Sequence, residues 1–183
     1  RGLLAEDIPK VERDHIDLLL SYGMLQSSNF TGAEEAFSAL TRSQIAETQI
    51  QGLLGLAETT RARGERERAK SYYTQVIQQS TDNAYKIQAH QELALIASEQ
   101  GKTVEAQRHW QSIGTLVNLS DPENEQLRIT MTSALIDLGQ EEEALELCNT
   151  QTNGEILLSC ALLYEESQPQ RAEDIYQSIL SSD

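Results

Sequence analysis

Residues 53–73 read LLGLAETTRARGERERAKSYY, and this stretch decides the fold. Its first half carries apolar or small side chains at helical spacing, namely Leu53, Leu56, Ala57 and Thr60. Side chains that recur every three or four positions lie on one face of a helix. Gly64 ends this pattern, and a second helical pattern follows it. The stretch therefore predicts two helices joined by a short turn, which makes them antiparallel neighbours.

The second half of the stretch contains a pattern that occurs three times. In each copy an alanine follows a glycine by five positions, and an aromatic or apolar residue follows the alanine by four. The copies are Gly64–Ala69–Tyr73, Gly101–Ala106–Trp110 and Gly139–Ala144–Cys148. Glycine can adopt the left-handed conformation that ends a helix, since it has no β-carbon. The small alanine lets the two helices approach closely, and the third residue, Trp110 included, is expected to pack in the core.

Helical patterns on both sides extend the array to ten helices in five pairs. Upstream, residues 18–27 read as a first helix, and Thr31 to Ala36 open its partner, with Ala36 as the repeat alanine 33 residues before Ala69. Downstream, residues 156–166 form a helix, and Ala172 with Tyr176 mark the last one. We expect second helices at 65–80, 103–118 and 141–149, the last of them short. The prediction is a single repeat domain over 1–183, with units at 10–45, 46–82, 83–121, 122–152 and 153–183.

These repeats resemble the tetratricopeptide repeat family. Leu56–Ala57 and Leu93–Ala94 stand where that family has a Leu–Gly pair, and residues 120–124 (SDPEN) resemble its linker between repeats. The chain departs from the family at the first-helix tryptophan, whose place is taken by Leu53, His90 and Arg128. The resemblance implies an all-α, right-handed α-solenoid of about five antiparallel helix pairs. It also implies a concave groove that is lined by the first helix of each pair.

The resemblance further implies which residues face the groove. They are Gln51, Leu54, Glu58 and Arg61 in the second unit, Gln88, Gln91, Leu95 and Ser98 in the third, and Gln126, Ile129 and Ser133 in the fourth. Such a mixture of amides, hydroxyls and aliphatic groups suits an extended or helical peptide. A subfamily that binds C-terminal carboxylates uses Lys, Asn and Arg, and the matching positions here hold no basic residue. We therefore expect that this carboxylate clamp is absent.

One basic stretch interrupts the acidic chain, between residues 61 and 70. Its cations are Arg61, Arg63, Arg66, Arg68 and Lys70. The favoured interpretation is a solvated turn in which arginines pair with glutamates three and four positions away on the helix, each pair contributing a few tenths of a kcal/mol. The alternative is a docking site for an acidic partner or for the acidic surface of a second copy.

The formal net charge of −15 narrows the classes of partner. An acidic surface repels nucleic acid and anionic lipid, so neither is an expected partner. No apolar run approaches the length of about 18 residues that a membrane span requires, so no membrane insertion is expected. The chain begins at Arg1 rather than at a methionine, and we expect it to be a piece of a longer protein.

The two cysteines and the tyrosines leave alternatives open. Cys148 and Cys160 form no metal-binding pattern, and the favoured interpretation is two small buried side chains. A disulfide, which would imply an oxidising compartment, is the alternative. Among the tyrosines, Tyr22 and Tyr176 are expected to pack inside. The better surface candidates are Tyr72, Tyr85 and Tyr164, because tyrosine is enriched at binding interfaces.

The motifs that carry enzyme chemistry are missing from the sequence. There is no phosphate-binding glycine loop, no G-x-S-x-G and no H-E-x-x-H, and the three histidines are far apart. We therefore expect no catalysis, cofactor or metal. The leading hypothesis is an adaptor that binds a protein or peptide. The alternative is a spacer or self-associating module of a longer protein of the bacterial envelope, so cytoplasmic and periplasmic locations both stay open.

Overall fold

The computed structural model describes residues 9–148 and 154–181. Within them the chain forms ten α-helices and no strand, which confirms the all-α prediction. The helices are α1 (Lys10–Gln26), α2 (Phe30–Leu40), α3 (Ala46–Ala62), α4 (Arg66–Gln79), α5 (Asn83–Glu99), α6 (Thr103–Leu116), α7 (Glu125–Asp137), α8 (Glu141–Cys148), α9 (Gly154–Ser167) and α10 (Pro169–Leu180). None of these helices is long and apolar enough to span a bilayer.

The three repeated glycines end their helices in the same way. Gly64, Gly101 and Gly139 have φ angles of 79°, 68° and 67°. After α3, the amide of Glu65 donates to the carbonyl of Thr60 at 2.9 Å, and the amide of Gly64 donates to that of Arg61 at 2.9 Å. The same two bonds close α5 and α7. This is the Schellman arrangement, which satisfies the last carbonyls of a helix and reverses the chain.

The other two positions of the pattern lie in the core as expected. Ala69, Ala106 and Ala144 are fully buried, and Tyr73, Trp110 and Cys148 are almost so. A buried alanine one turn before a large buried side chain lets two helix backbones approach while the gap beyond is filled. The pattern therefore explains why successive helices form tight pairs.

The structure also reveals a fourth copy of the pattern, in which serine replaces glycine. Ser28 has a φ angle of 61°, and the amide of Asn29 donates to the carbonyl of Met24 at 2.9 Å. Ala33 and Phe37 follow at the spacing of the other copies, and both are fully buried. Ala36, at which the sequence placed the repeat alanine, is only half-buried. A glycine at the turn was the signal used, so the register of this unit was predicted three residues too late.

The described residues form two compact units, which divide between Lys102 and Thr103. In the first unit, α1 packs on α2, α2 on α3, α3 on α4, and α4 on α5. One cluster of its core is centred on Phe37, whose ring meets Tyr22 edge to face at 4.9 Å. The other is formed by α3, α4 and α5 around Tyr73. Tyr22 thus packs inside, as the sequence predicted.

Two glycines bring α3 unusually close to α2. A β-carbon at Gly52 would lie 2.8 Å from the amide nitrogen of Thr41, and one at Gly55 would lie 2.2 Å from the ring of Phe37. Atoms at such distances overlap, so no larger residue fits at either position without movement of a helix. Glycine costs helix stability at an interior position, and the close packing of Phe37 offsets that cost.

The second unit contains a disulfide bond between Cys148 and Cys160, with a sequence separation of 12. Both cysteines are buried, as the favoured interpretation had it, but they are bonded to each other, which was the alternative. The pattern correctly placed Cys148 in the core, but it could not show that Cys160 of α9 lies opposite it. The bond joins the end of the short helix α8 to the middle of α9.

Tyr164 packs beside this disulfide and is only 2% exposed, so its prediction as a surface residue was wrong. Its hydroxyl donates to the carbonyl of Leu145 at 3.1 Å, and the guanidinium of Arg171 lies 4.8 Å from the centre of its ring. The side chains of α8 and α10 pack against this part of α9, which leaves the aromatic ring no path to solvent. Tyr176 packs against the same cluster, as predicted.

The linker before α7 follows the resemblance in part. Pro122 starts a single 3-10 turn over Pro122–Asn124, and α7 continues from it. Arg128 occupies the position of the family's tryptophan and is buried, and its Nη1 donates to the carbonyl of Leu119 at 2.7 Å. Arg128 therefore holds the linker by a hydrogen bond, whereas the tryptophan of the family would fill this position with an aromatic ring. The division between the two units falls inside the predicted unit 83–121, and the single repeat domain stays a prediction.

Candidate functional site

A row of polar side chains joins α3 to α5 in the first unit, and we call it the α3–α5 seam. The amide of Gln51 donates to the hydroxyl of Tyr85 at 3.2 Å, and that hydroxyl donates to Glu47 at 3.1 Å. Further along, the amide of Gln88 donates to Glu58 at 3.3 Å. These bonds cross between first helices of neighbouring pairs, so they lie on the face that the resemblance assigns to binding.

Glu58 is the most perturbed carboxyl of the seam. Burial disfavours its charged form, and the negative charge of Glu92 adds to this effect, so together they raise the pKa of Glu58 to about 7. Its hydrogen bond comes from the neutral amide of Gln88. No cation of the described residues forms an ion pair with it. Glu58 therefore titrates near neutral pH, where a neighbouring cation would favour its charged form.

A pocket of about 420 Å³ opens beside this carboxyl, and we call it the Glu58 pocket. Its lining consists of Glu58, Arg61, Ala62, Tyr73 and Glu92. The hydroxyl of Tyr73 is buried and has no hydrogen-bond partner. Burial raises the pKa of Tyr73, and the charges of Glu92 and Glu58 raise it further. The pocket therefore combines two carboxyl groups with a polar atom that lacks a partner.

Arg61 lies in the same pocket, but its guanidinium is already engaged. It pairs with Glu92 and, at 3.2 Å, with Glu99. Arg66 also reaches Glu99 at 3.2 Å. The hydrogen bond from Arg61 is the main reason that the pKa of Glu99 lies below its usual range.

The arginines of the basic stretch are neutralised within the molecule. Arg63 pairs with Glu34 at 2.7 Å and with Glu65 at 2.8 Å, and Arg68 pairs with the same two glutamates. Bonding to Arg68 lowers the pKa of Glu34. Among the ion pairs of these arginines, Glu65–Arg68 has a helical spacing of three, and Arg63 and Glu65 are two positions apart. All four arginines are thus paired, as predicted, but most of the pairs join different helices, so the predicted spacing of three or four positions was wrong for them. Lys70 is half-buried on α4.

The structure separates the predicted groove residues into three groups. Gln51, Glu58, Arg61 and Gln88 take part in the seam or its pocket. Gln91 and Ser98 are half-buried and Leu95 is exposed on α5. The third group lies on α7 of the second unit, outside the core. Gln126 is exposed there, and Ile129 and Ser133 are half-buried.

Leu54 is not accessible on the α3–α5 seam. Only 2% of it is exposed, because it packs in the core cluster that α3 forms with α4 and α5. Its prediction as a groove residue was therefore wrong. Neighbouring helices bury α3 over much of its circumference, and this encloses Leu54 although the resemblance assigns its position to a groove.

Two members of the site were missed by the sequence. Glu92 competes for Arg61 and acts on Glu58, and Glu47 accepts from Tyr85. Both are glutamates in a glutamate-rich chain, and only the register between α3 and α5 distinguishes them. Tyr85 was predicted as a surface residue, and it lies half-buried in the seam, whereas Tyr72 is half-buried against the core clusters.

Comparisons with known proteins agree on the fold. No protein-family model and no curated protein sequence matches the chain. Among solved structures, a crystal structure of MamA aligns with a TM-score of 0.65 and 16% identity, over 93% of this chain and 91% of that one. MamA AMB-1 gives 0.61 and 16% over 94% and 92%, and MamA MSR-1 gives 0.55 and 17% over 91% and 98%. At such identities the likeness shows an all-α helical-repeat fold of the tetratricopeptide type.

Proposed function

We propose that this chain is a non-catalytic scaffold that binds a peptide segment of another protein along the α3–α5 seam. The observation that carries the proposal is the seam itself. It presents amide, hydroxyl and carboxyl groups at half-buried or exposed positions, where a bound peptide would find several hydrogen-bond partners. Helical repeats are suited to this use, since adjacent first helices form a continuous surface.

Selection from a library of short random peptides tests the proposal. Peptides selected on the full chain are expected to lose at least about tenfold in affinity for the variant Gln51→Ala/Gln88→Ala, because paired polar groups are lost at the centre of the surface. Gln78→Ala/Gln79→Ala on the exposed side of α4 is the matched control and should bind as before. Selected peptides that bind both variants equally well would place binding elsewhere.

Self-association is the second candidate, and one observation favours it. Ile16, Leu19 and Leu20 form an exposed apolar stripe on α1. Exposed apolar stripes are common at protein–protein contacts. If the stripe joins two copies, the mass measured by light scattering should rise with concentration and return to that of a monomer in Leu19→Ser/Leu20→Ser. A monomer at every concentration removes this candidate.

A further inference from the structure

The charges around the Glu58 pocket do not balance. Glu58 and Glu92 are its two acids, and Arg61 is its one cation. Arg61 forms ion pairs with Glu92 and with Glu99, and it forms none with Glu58. The groups that face Glu58 from the other helices are the neutral amide of Gln88 and the carboxylate of Glu92 on α5, Tyr73 on α4 and Tyr22 on α1. None of these can supply a positive charge.

The second observation concerns Tyr73, which belongs to the same lining. Its side chain is fully buried, and its hydroxyl has no hydrogen-bond partner. Buried hydroxyls normally have a partner, and a hydroxyl that lacks one inside a pocket marks a place where a ligand can bond. A phenol oxygen accepts from an N–H group as well as donating. Carboxylate and phenol oxygens together are the acceptors that an ammonium or guanidinium group requires.

We propose that the Glu58 pocket binds a cationic side chain, lysine or arginine, from the peptide that the scaffold holds. The inference rests on the proposed function and adds the chemistry of its main contact. Glu58 provides the opposite charge, and the hydroxyl of Tyr73 and the free lone pairs of Glu92 accept the remaining N–H groups. The pocket volume of about 420 Å³ lies within the range of about 300–1,000 Å³ that ligand pockets usually have.

The raised pKa of Glu58 agrees with this assignment. Its carboxyl is partly protonated at neutral pH when the pocket is open, because burial and Glu92 disfavour the charge. A bound cation reverses this preference, so binding should release a proton near neutral pH. Binding should therefore strengthen as the pH rises through about 7.

Peptide selection with a matched pair of variants tests the contact. Peptides selected on the full chain should carry lysine or arginine at one fixed position. Replacing that residue by norleucine should weaken binding to the wild type at least about tenfold, and much less to Glu58→Gln, since the partner charge is then absent. Glu35→Gln, which removes the same charge from an exposed position on α2, should behave as the wild type does. Selected peptides without a fixed cation, or an equal norleucine effect in wild type and Glu58→Gln, would overturn the inference while leaving the proposed function intact.

A second measurement does not depend on any peptide. Carbon-13 NMR can follow the Glu58 carboxyl while n-butylammonium or n-butylguanidinium chloride is added to the full chain, with n-butanol as the neutral probe. We expect both cations to lower the pKa of Glu58 and n-butanol to leave it unchanged. Tyr73→Phe should reduce the effect of the cations. If the cations leave the pKa unchanged, the pocket is no cation site, whatever the peptide library yields. If no peptide is selected but the cations bind, the proposed function fails and the pocket chemistry stands.

Discussion

The ring of Phe37 occupies the space in which a β-carbon of residue 55 would lie, and Gly55 has none. A methyl group there would lie 2.2 Å from the ring. In the interior of a helix, alanine is more favourable than glycine by about 1 kcal/mol, so the sequence alone would recommend the substitution. Packing against α2 makes the substitution unfavourable instead, because Phe37 is fully buried and cannot turn away without opening a cavity.

Gly55→Ala is therefore expected to lower the free energy of unfolding of the first unit by about 1–3 kcal/mol. Gly23→Ala is the matched control, since Gly23 also lies inside a helix but a β-carbon added there would meet no atom within 4 Å. Gly23→Ala should raise the free energy of unfolding by up to about 1 kcal/mol. Hydrogen exchange of the α3 amides measures both. Equal effects of the two substitutions would show that Phe37 yields easily.

Ser28 offers the opposite experiment. It adopts a φ angle of 61° at the end of α1, where the other copies of the pattern have glycine. The left-handed conformation costs a residue with a side chain about 1–2 kcal/mol, while glycine has more freedom to lose on folding. Ser28→Gly should therefore raise the free energy of unfolding by about 0.5–1 kcal/mol, measured by urea denaturation. Gly64→Ser, the reverse change in an equivalent turn, should lower it by a similar amount.

Glu58 makes the stability of the first unit depend on pH in a defined window. Its pKa is 4.5 in its ordinary, unfolded state and about 7 when folded, so the folded state retains the proton over a wider range. The stability that this provides is complete below pH 4.5 and is lost as the pH rises through about 7. Asp14, Glu34 and Glu99 have lowered pKa values and act in the opposite direction, at more acidic pH.

Glu58→Gln should consequently be more stable than the wild type by about 3 kcal/mol near pH 8 and of equal stability near about pH 4. Urea denaturation at a series of pH values measures the difference. Glu35→Gln is the control, and the difference between it and the wild type should not change over this window. A difference for Glu58→Gln that is independent of pH would mean that folding does not change the pKa of this carboxyl.

At the scale of the helices, the periodicity of the sequence predicted the number of helices and the pairing of neighbours along the chain. The Gly64 and Ala69 pattern located the turns and the close contacts, because both requirements are local to one helix pair. The contacts between pairs were not accessible in this way. Which glutamate meets Arg61, and whether Cys160 faces Cys148, depends on the register of helices that are far apart in the sequence. Leu54 was misplaced for the same reason, since the depth of a helix in the core depends on its neighbours.

The disulfide between α8 and α9 should be the main support of the second unit. The helix α8 has only 8 residues, which is too short to be stable without tertiary contacts. A crosslink across a sequence separation of 12 restricts the unfolded chain and contributes about 2–3 kcal/mol. Cys148→Ala/Cys160→Ala should lower the free energy of unfolding of this unit by that amount.

The fluorescence of Trp110 measures the effect, because this single tryptophan is buried in the second unit. A reducing agent should destabilise the wild type equally and leave the double variant unchanged, which is the internal control. If the reducing agent has no effect on the wild type, the two cysteines are not bonded in solution. Such a bond persists in an oxidising compartment and is reduced in most cytosols, so the result also bears on the location of the protein.

Over the whole molecule, the net charge of −15 favours the same kind of partner as the Glu58 pocket. The arginines of the basic stretch pair with glutamates, which leaves the excess of acidic groups facing solvent. A long-range negative field attracts basic segments and repels nucleic acid. The field and the pocket act at different stages of binding. The field governs how often a basic peptide arrives, and the pocket governs how long it stays.

This division predicts separate kinetic effects for salt and for Glu58. Raising the salt concentration from about 0.05 M to about 0.5 M should lower the association rate of a selected basic peptide by about tenfold, because screening shortens the range of the field. Glu58→Gln removes one of many charges, so it should change the association rate little and raise the dissociation rate severalfold. Surface plasmon resonance with Glu35→Gln as the control measures both rates. An association rate that does not depend on salt would exclude steering by the field, and an unchanged dissociation rate in Glu58→Gln would exclude the pocket as the site of the retained cation.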